Sequence, residues 1–597
     1  MSTPTNSVAV SRALFAGGVA VVLGLPWLPV PESWITQMNA IGMDALAALG
    51  LVLLTGVVGL TSFGQAAFVG LGAYVTAWGC TAAGWSPWLG LGVGLATTFA
   101  VAMIVGGATL RLAGHDWALA TLAWGLAAYF LAGNLDVLGK FDGLQGLPPV
   151  SVAGHVLREG RAYYALVWTC ALGGAWALRN LLDSRPGRAL RALRGNATMA
   201  EAMGVPTARY KLLAFVLGAL FASLAGWLFA HDQRSVNPSP FGLQMGIQYL
   251  FMTVLGGAGY VAGAFVGAAV VVVAQDRLQD VLPALLGTSG PVELIVFGVV
   301  LVALLQGAPE GLWSLVARHA APRRRRQRAG DEAATRLPSS AMPPAGELLL
   351  RVAGVRKAFD GLVAIAGVDF TVQAGEIVGL IGPNGAGKST LFDLVTGMVP
   401  LTAGRIEFRG RRVDGLPARA IASRGLARTF QHVRLVSNLS VLENVALGAH
   451  RRGRAGVVRA MLRLERAEER RLFAEAWRQL ERVGLEAWAE SPAGHLALGP
   501  QRLVEIARAL CSGPSLLLLD EPAAGLRLQE KQALAEVLVQ LRAQGMTLLL
   551  VEHDMAFVMT LANRLVVLES GTKLADGPPE SVRADPAVRA AYLGVAH

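Results

Sequence analysis

The sequence predicts a polytopic α-helical membrane domain followed by an α/β domain built on a parallel sheet, and three observations carry that expectation. Residues 11–310 are rich in Leu, Val, Ala and Gly with few charges, whereas residues 347–597 carry most of the acids and bases. The 597-residue chain is 53% hydrophobic and only 16% charged, too apolar for a soluble protein and too long for one domain. The segment running from Gly382 through Asn384, Gly385 and Gly387 to Lys388, Ser389 and Thr390 has the pattern G-x-x-x-x-G-K-[ST] and follows the apolar run 376–381. A strand feeding a glycine-rich turn and then a helix lets backbone N–H groups cradle phosphates, with Lys388 on the β/γ oxygens and Ser389 on Mg2+. The second domain is therefore expected to be an α/β P-loop NTPase, and its phosphate chemistry is tied to a membrane.

The expected division is a membrane domain at 1–310, a basic linker containing Pro, Ala and Ser at 311–346, and a nucleotide-binding domain at 347–597. Within it, the stretch Pro322 to Gly346 opens with four arginines from Arg323 to Arg326, and its 25 or so residues reach roughly 25–30 Å as a flexible chain. A formal charge of +11 raises nucleic acid as a partner, but the excess sits in short stretches flanking apolar runs, Arg179 to Arg194 and Arg323 to Arg328. The positive-inside rule explains both as cytoplasmic loops, which leaves lipid and not nucleic acid as the expected surroundings. Cys80, Cys170 and Cys511 lie far apart without metal-ligand spacing, so neither a disulfide framework nor a zinc site is indicated. One Arg precedes the first apolar stretch and no A-x-A site follows it, which reads as a retained span and not a signal peptide.

Apolar stretches of spanning length, or nearly so, fall at 11–30, 38–58, 64–83, 88–109, 117–134, 163–182, 211–231 and 291–308. The run 247–276 is broken by Leu255-Gly-Gly-Ala-Gly259. If the Arg-rich loop 183–210 and the C-terminal domain share the cytoplasmic side, this run makes two crossings, giving about ten spans with the N-terminus inside. A single tilted span is the competing reading. Small residues recur from Gly64 through Gly70 and Gly72 to Tyr74, which suits close helix packing or the lining of a translocation path. Asp44, inside the second span, is either a bundle-facing hydrogen-bonding group or a substrate contact. The loop from Arg188 to Arg194 leads through Gly195 to Glu201, Ala202, Gly204 and Val205, a short amphipathic helix with an acid and a glycine turn that a membrane domain would present to a soluble motor.

In the second half, Ser515 to Asp520 is a buried parallel strand ending in Asp520 and Glu521. Strand ends are where doubly wound sheets place ligands, so Asp520 is expected to hold Mg2+ and Glu521 to orient and polarise the attacking water. A second strand, Met546 to Val551, brings His553 toward the γ-phosphate. Gln431 suits a residue touching Mg2+ and the water, and Phe359 either stacks on adenine or is a core aromatic.

The ordered series Phe359, Lys388, Gln431, 496–502, Asp520/Glu521 and His553 resembles the ATPase subunits of ABC transporters, and Leu496-Ala-Leu-Gly499-Pro500-Gln501-Arg502 looks like their signature. Arg428-Thr-Phe-Gln431, Glu521-Pro-Ala-Ala-Gly-Leu526, Val551-Glu-His-Asp-Met555 and the terminal Ala591-Tyr-Leu-Gly594 resemble more narrowly the branched-chain amino acid (LIV-type) importers. The stretches Gly64–Tyr74, Gly187–Arg194, Glu201–Gly204 and Val254–Gly257 look like that family's second permease. The resemblance implies a permease fused to its ATPase, with ATP and Mg2+ as cofactors. It further implies a second permease, a second ATPase and a periplasmic substrate-binding protein as partners, and a bacterial inner membrane as the location. It makes 196–210 the coupling loop, and lets Leu496 and Gly499 serve nucleotide across a two-domain sandwich. Urea, short amides or aromatic acids are alternative substrates. An ABC exporter half-transporter is the other alternative, though it would show six long spans with long charged extensions. Two residues depart from the family pattern: Pro500 where Gln is usual, and Arg527 where a small acid or amide is usual.

Overall fold

The computed structural model describes residues 22–286 apart from 23 and 113, scattered positions between 298 and 310, 311–320, 337–338 and 342–593. The expected spans at 11–30 and 291–308 lie largely outside the described residues. The chain divides into two compact units. One comprises Met1–Asp183 and Ala208–Arg323, and the other joins Ser184–Thr207 to Arg324–His597.

Among the described residues, the long helices of the first half are α1 (Glu32–Leu51), α2 (Gln65–Thr81), α3 (Pro87–Thr109), α4 (His115–Asn134), α5 (Gly160–Leu182), α6 (Arg185–Ala202), α7 (Thr207–Gln233), α8 (Leu243–Gly256) and α9 (Val261–Leu286). All but α6 lie in or mostly in the first unit. Again among the described residues, five helices are long and apolar enough to cross a membrane: Glu32–Val58, Pro87–Thr109, Gly160–Leu182, Thr207–Gln233 and Val261–Leu278. The α3 helix leaves Leu89, Phe99, Met103 and Ile104 exposed, and α4 exposes Leu119, Trp124, Phe130 and Leu131. Apolar side chains pointing outward from helices whose backbone groups are satisfied internally suit hydrocarbon and not water.

Glycines set how closely these helices pack. The run 247–276 is two helices, separated at Gly257 (φ +114°). A Cβ at Gly267 would stand 1.7 Å from the Met252 carbonyl oxygen, and one at Gly256 would stand 1.8 Å from that of Gly263. The hairpin therefore exists because small residues let the two backbones touch. The Gly64–Tyr74 stretch behaves alike: a Cβ at Gly72 would meet the Ser223 carbonyl oxygen at 2.3 Å. Gln65 is buried and donates to the carbonyls of Ala47 and Gly218, both at 3.0 Å, which ties α2 to α1 and α7. Asp44 on α1 lies close to the Tyr249 side chain on α8.

The second unit is built on strands β1 (Leu348–Phe359), β2 (Leu362–Gln373), β3 (Ile377–Ile381), β4 (Ala403–Phe408), β5 (Arg411–Arg412), β6 (Leu426–Arg428), β7 (Leu516–Asp520), β8 (Thr547–Val551), β9 (Arg564–Glu569) and β10 (Thr572–Gly577). One sheet has the order β6-β7-β8-β3-β9-β10, parallel except for β10. The other is antiparallel, β2-β1-β4-β5. Every residue of β3, β7 and β8 is buried, as near-continuous apolar runs in a sheet covered on both faces should be. The register pairs Asp520 with Val551 and Val551 with Leu380, so the carboxyl ends of these three strands emerge side by side. Around them lie α10 (Lys388–Val395), α11 (Val441–Gly448), α12 (Arg466–Arg482), α13 (Leu498–Cys511), α14 (Leu528–Ala543) and α15 (Met555–Leu561).

Candidate active site

The turn from β3 into α10 needs glycine. Gly382, Gly385 and Gly387 have φ of +152°, +83° and +96°, and a Cβ at Gly387 would meet the Ala364 carbonyl oxygen at 2.6 Å. Lys388 opens α10 and is buried. Its ammonium donates to the carbonyls of Gly382 (2.7 Å) and Pro383 (2.9 Å), inside the loop that would surround phosphates. Burial pushes its pKa down, while Glu521 and Asp520 pull it back up, so the site holds a cation and two acids in mutual reach. Ser389 and Asn384 are exposed and Thr390 is half-buried at the same turn.

Asp520 ends β7 and is buried. Its Oδ2 takes a hydrogen bond from Arg428 at 3.3 Å, whereas its Oδ1 is buried without a hydrogen-bond partner. Arg428 is fixed in turn by Asp393 at 2.6 Å and by the Thr396 hydroxyl at 2.9 Å. Burial raises the Asp520 pKa and Arg428 opposes it. A buried carboxylate oxygen close to the phosphate-loop lysine and lacking a proton donor is the donor that a hard cation takes.

Glu521 accepts a hydrogen bond from the Gln431 side-chain amide at 3.1 Å, and His553 Nδ1 lies 3.7 Å from the same carboxylate. Gln431, Glu521 and His553, widely separated in sequence, thus meet at the sheet's carboxyl edge. Phe359 ends β1 with 42% of its surface exposed and carries the Lys357 ammonium 4.6 Å over its ring. That is a surface platform and not a core aromatic. Gly499 is the second residue of α13, and a Cβ there would meet Glu530 of α14 at 2.5 Å, while Leu496 is buried just before the helix. Pro500 falls in the first turn of α13, where its missing N–H had no intrahelical acceptor, so the helix tolerates it. Arg527 precedes α14 and gives its backbone N–H to Glu530 at 2.9 Å.

Several groups at this site were not anticipated from the sequence. Arg502 donates to the carbonyls of Phe430 (2.8 Å) and Gln431 (2.5 Å), and Arg508 to that of Arg434 (2.7 Å). Glu505 accepts the Arg434 amide at 2.9 Å. The Gln431 segment is therefore clamped to α13, and the i, i+3, i+6 spacing of Arg502, Glu505 and Arg508 on one helical face was the available signal. Glu552, fully buried, accepts the amides of Ala523 (2.7 Å) and His553 (3.3 Å).

A second cluster surrounds α6. The helix is kinked at Asn196, whose side chain caps the next turn by accepting from the Met199 amide at 2.8 Å. Arg185 donates to the carbonyls of His450 (2.7 Å) and Ala455 (2.6 Å), and Arg188 pairs with Glu469 at 2.7 Å and stacks over Phe473. His450 is buried against these arginines, and desolvation followed by their charge holds its pKa well below the usual histidine value. Gly204 has φ +81°, and a Cβ there would stand 2.1 Å from Arg451 Cδ. Ala202 lines a small cavity with Thr396, Met398, Ala418 and Ile421. Glu201 accepts a hydrogen bond from the Thr207 hydroxyl at 2.5 Å.

Residues 32–305 match the family described as branched-chain amino acid transport system/permease component, 365–524 match ABC transporter, and 572–597 match branched-chain amino acid ATP-binding cassette transporter. The high-affinity branched-chain amino acid transport ATP-binding protein LivG of Salmonella typhimurium is 44% identical over 42% of this chain and 98% of its own length. The corresponding protein BraF of Pseudomonas aeruginosa is 41% identical over 42% of this chain and 98% of its own. A solved nucleotide-free ATP-binding cassette from an ABC transporter shows 30% identity and a TM-score of 0.38, over 41% of this chain and 99% of that one.

Proposed function

Because the chain belongs to the branched-chain amino acid ABC transporter family, with permease and ATP-binding parts in one polypeptide, we propose that it is half of a bacterial inner-membrane importer for branched-chain or related amino acids. Its ABC ATPase domain binds ATP and couples hydrolysis to transport. The observation that carries the importer reading is the permease match over 32–305 in the same chain as the converged set Lys388, Asp520, Glu521, Gln431 and His553.

In this reading Lys388 exchanges its bonds to the Gly382 and Pro383 carbonyls for the β/γ oxygens, and the amides of the glycine turn cradle the same phosphates. The chain's donors fit Mg2+: Asp520 with its unpartnered Oδ1, Ser389 and Gln431 would hold the ion. Once bound, it supplies neutralisation of charge on the β and γ oxygens. Glu521 orients and polarises water, Gln431 holds the Glu521 carboxylate from one side, and His553 reaches the γ-phosphate from the other. Phe359 stacks on adenine, and Leu496 and Gly499 serve nucleotide bound by a partner ATPase. Closure of the two ATPases moves the 196–210 segment through Glu201, Ala202 and Gly204, with Arg185 and Arg188 as the grip. The partners are a second permease, a second ATPase and a periplasmic substrate-binding protein, and the N-terminus and ATPase lie in the cytoplasm.

The test is uptake of labelled leucine by proteoliposomes carrying the complex copurified with this chain, with its binding protein outside. ATP-dependent accumulation that Lys388→Ala abolishes is expected. ATP-dependent efflux, or accumulation unaffected by that substitution, would overturn the reading.

A further inference from the structure

Beside the α6 cluster lies a segment that none of these roles uses. Between Gly453 and Glu465 the single helical turn Val457–Met461 and the residues just after it expose Val458, Leu462 and Leu464 at 69%, 49% and 63% of their surface. Isolated exposed aliphatics need no explanation, but three within seven residues form a patch. Arg454 and Arg459 are exposed beside them and Arg463 is half-buried. Of the acids that follow, Glu465 is buried, Glu468 holds the amides of Arg454 and Ala455, and Glu469 holds Arg188.

We propose that the 454–464 segment rests on the cytoplasmic face of the bilayer, with Val458, Leu462 and Leu464 entering the headgroup region and Arg454, Arg459 and Arg463 binding anionic lipid. The chain itself supplies the location. The apolar helix α5 ends at Leu182, and Arg185, three residues on, bonds directly to the Ala455 carbonyl at 2.6 Å. Consecutive Cα atoms are about 3.8 Å apart, so Arg185, which holds the start of the segment at Ala455, follows the end of that helix within roughly 11 Å of chain. Charge complementarity selects the occupant. Aliphatics interleaved with arginines, whose stems lie along apolar surface while their heads reach phosphate, suit an anionic lipid surface. The inference rests on the membrane character of the first unit and not on the transported substrate.

The experiment places a nitroxide at Leu462→Cys in a Cys170→Ser background, Cys80 and Cys511 being buried, in the full complex reconstituted into nanodiscs of phosphatidylcholine and phosphatidylglycerol. Leu348→Cys, on β1 and 46% exposed, is the aqueous control. Collision with oxygen over a water-soluble nickel complex should be several-fold greater at 462 than at 348. Arg459→Glu with Arg463→Glu should lower that ratio, each arginine near an anionic surface being worth about a fivefold change in local lipid occupancy. A 462 label as nickel-accessible as the control would overturn the proposal. A label shielded from both reagents would also overturn it, since a protein then covers the patch.

Discussion

Glu521 has φ +46°, a conformation that L residues other than Asn and Asp seldom adopt. Its N–H bonds the Val551 carbonyl at 2.9 Å, so the turn is held by the neighbouring strand while the carboxylate swings toward Gln431 and His553. Strain kept at such a position, of order 1–3 kcal/mol, is a signature of function over stability. Glu521→Gln should abolish steady-state hydrolysis while ATP binding persists, because the amide keeps the shape but loses the base. Unchanged turnover would remove Glu521 from the mechanism. Glu521→Asn, more at ease in this conformation, should be equally inactive yet about 1 kcal/mol more stable; a lower melting temperature would show that the backbone is not strained. Glu552 acts through others. It joins the amide of Ala523, two residues beyond Glu521, to that of His553, and burial raises its pKa. Glu552→Ala should reduce kcat about tenfold or more by loosening that geometry, with KM for ATP little changed. Glu552→Gln, which can still accept the Ala523 amide, should recover much of it. Wild-type kcat in the alanine variant would dismiss the positioning role.

Among elements, the turn that follows α6 fits closely. Gly204→Trp would drive a side chain into Arg451, whose Cδ stands only 2.1 Å from where a Cβ would lie. Uptake should stop while basal hydrolysis continues, and uptake at the wild-type rate would rule out this contact as the coupling element. The same cluster predicts a pH dependence. His450 is buried among Arg185, Arg188 and Arg451 with its pKa pushed well below the ordinary 6.5, so the fold keeps it neutral while the unfolded chain protonates. The unfolded state then binds more protons below about pH 6.5, and stability falls as pH drops through that window. His450→Gln should flatten the fall in thermal midpoint between about pH 6.5 and pH 5; an equally steep fall would assign it elsewhere. The elements themselves were largely legible. The buried runs of β3, β7 and β8 read directly from the sequence because both faces of a parallel strand are covered, and the stretch Leu255–Gly259 announces a break because glycine alone lets α8 and α9 touch. Arg428, Arg502 and Glu552 were not legible as site residues, because each works by bonding backbone or side-chain groups that only tertiary folding brings near. Glu201 reads from the sequence as part of a coupling segment, and only the fold shows that its carboxylate accepts from Thr207 at the start of α7.

At the scale of the whole molecule, Pro500 and Arg527 fall on one surface of the second unit. Glu530 of α14 reaches the backbone at Gly499, and Leu498 of α13 lies against Gly525, so the two departures from the family pattern are neighbours. Leu498 and Leu528 beside them are 41% and 73% exposed, so the two departures lie on an accessible face. The first N–H groups of α13 have no helical acceptor and form the ready-made anion site of any helix N-terminus. Pro500 removes one of those donors, and Arg527 adds bulk and charge close by. Two copies of this chain facing each other would carry both defects at both nucleotides. A separate ATPase with a regular signature would instead complete the site at Lys388, leaving only the partner's nucleotide to face Pro500. The chain should therefore function with one copy each of itself, another permease and another ATPase, and not as a homodimer. Subunit counting by native mass spectrometry on the complex purified from its own membrane checks this. Pro500→Gln should raise ATPase turnover of that complex by no more than about twofold, since one of its two sites is already intact, but by far more in an enforced homodimer. An assembly of two copies of this chain alone that accumulates substrate would refute the asymmetry.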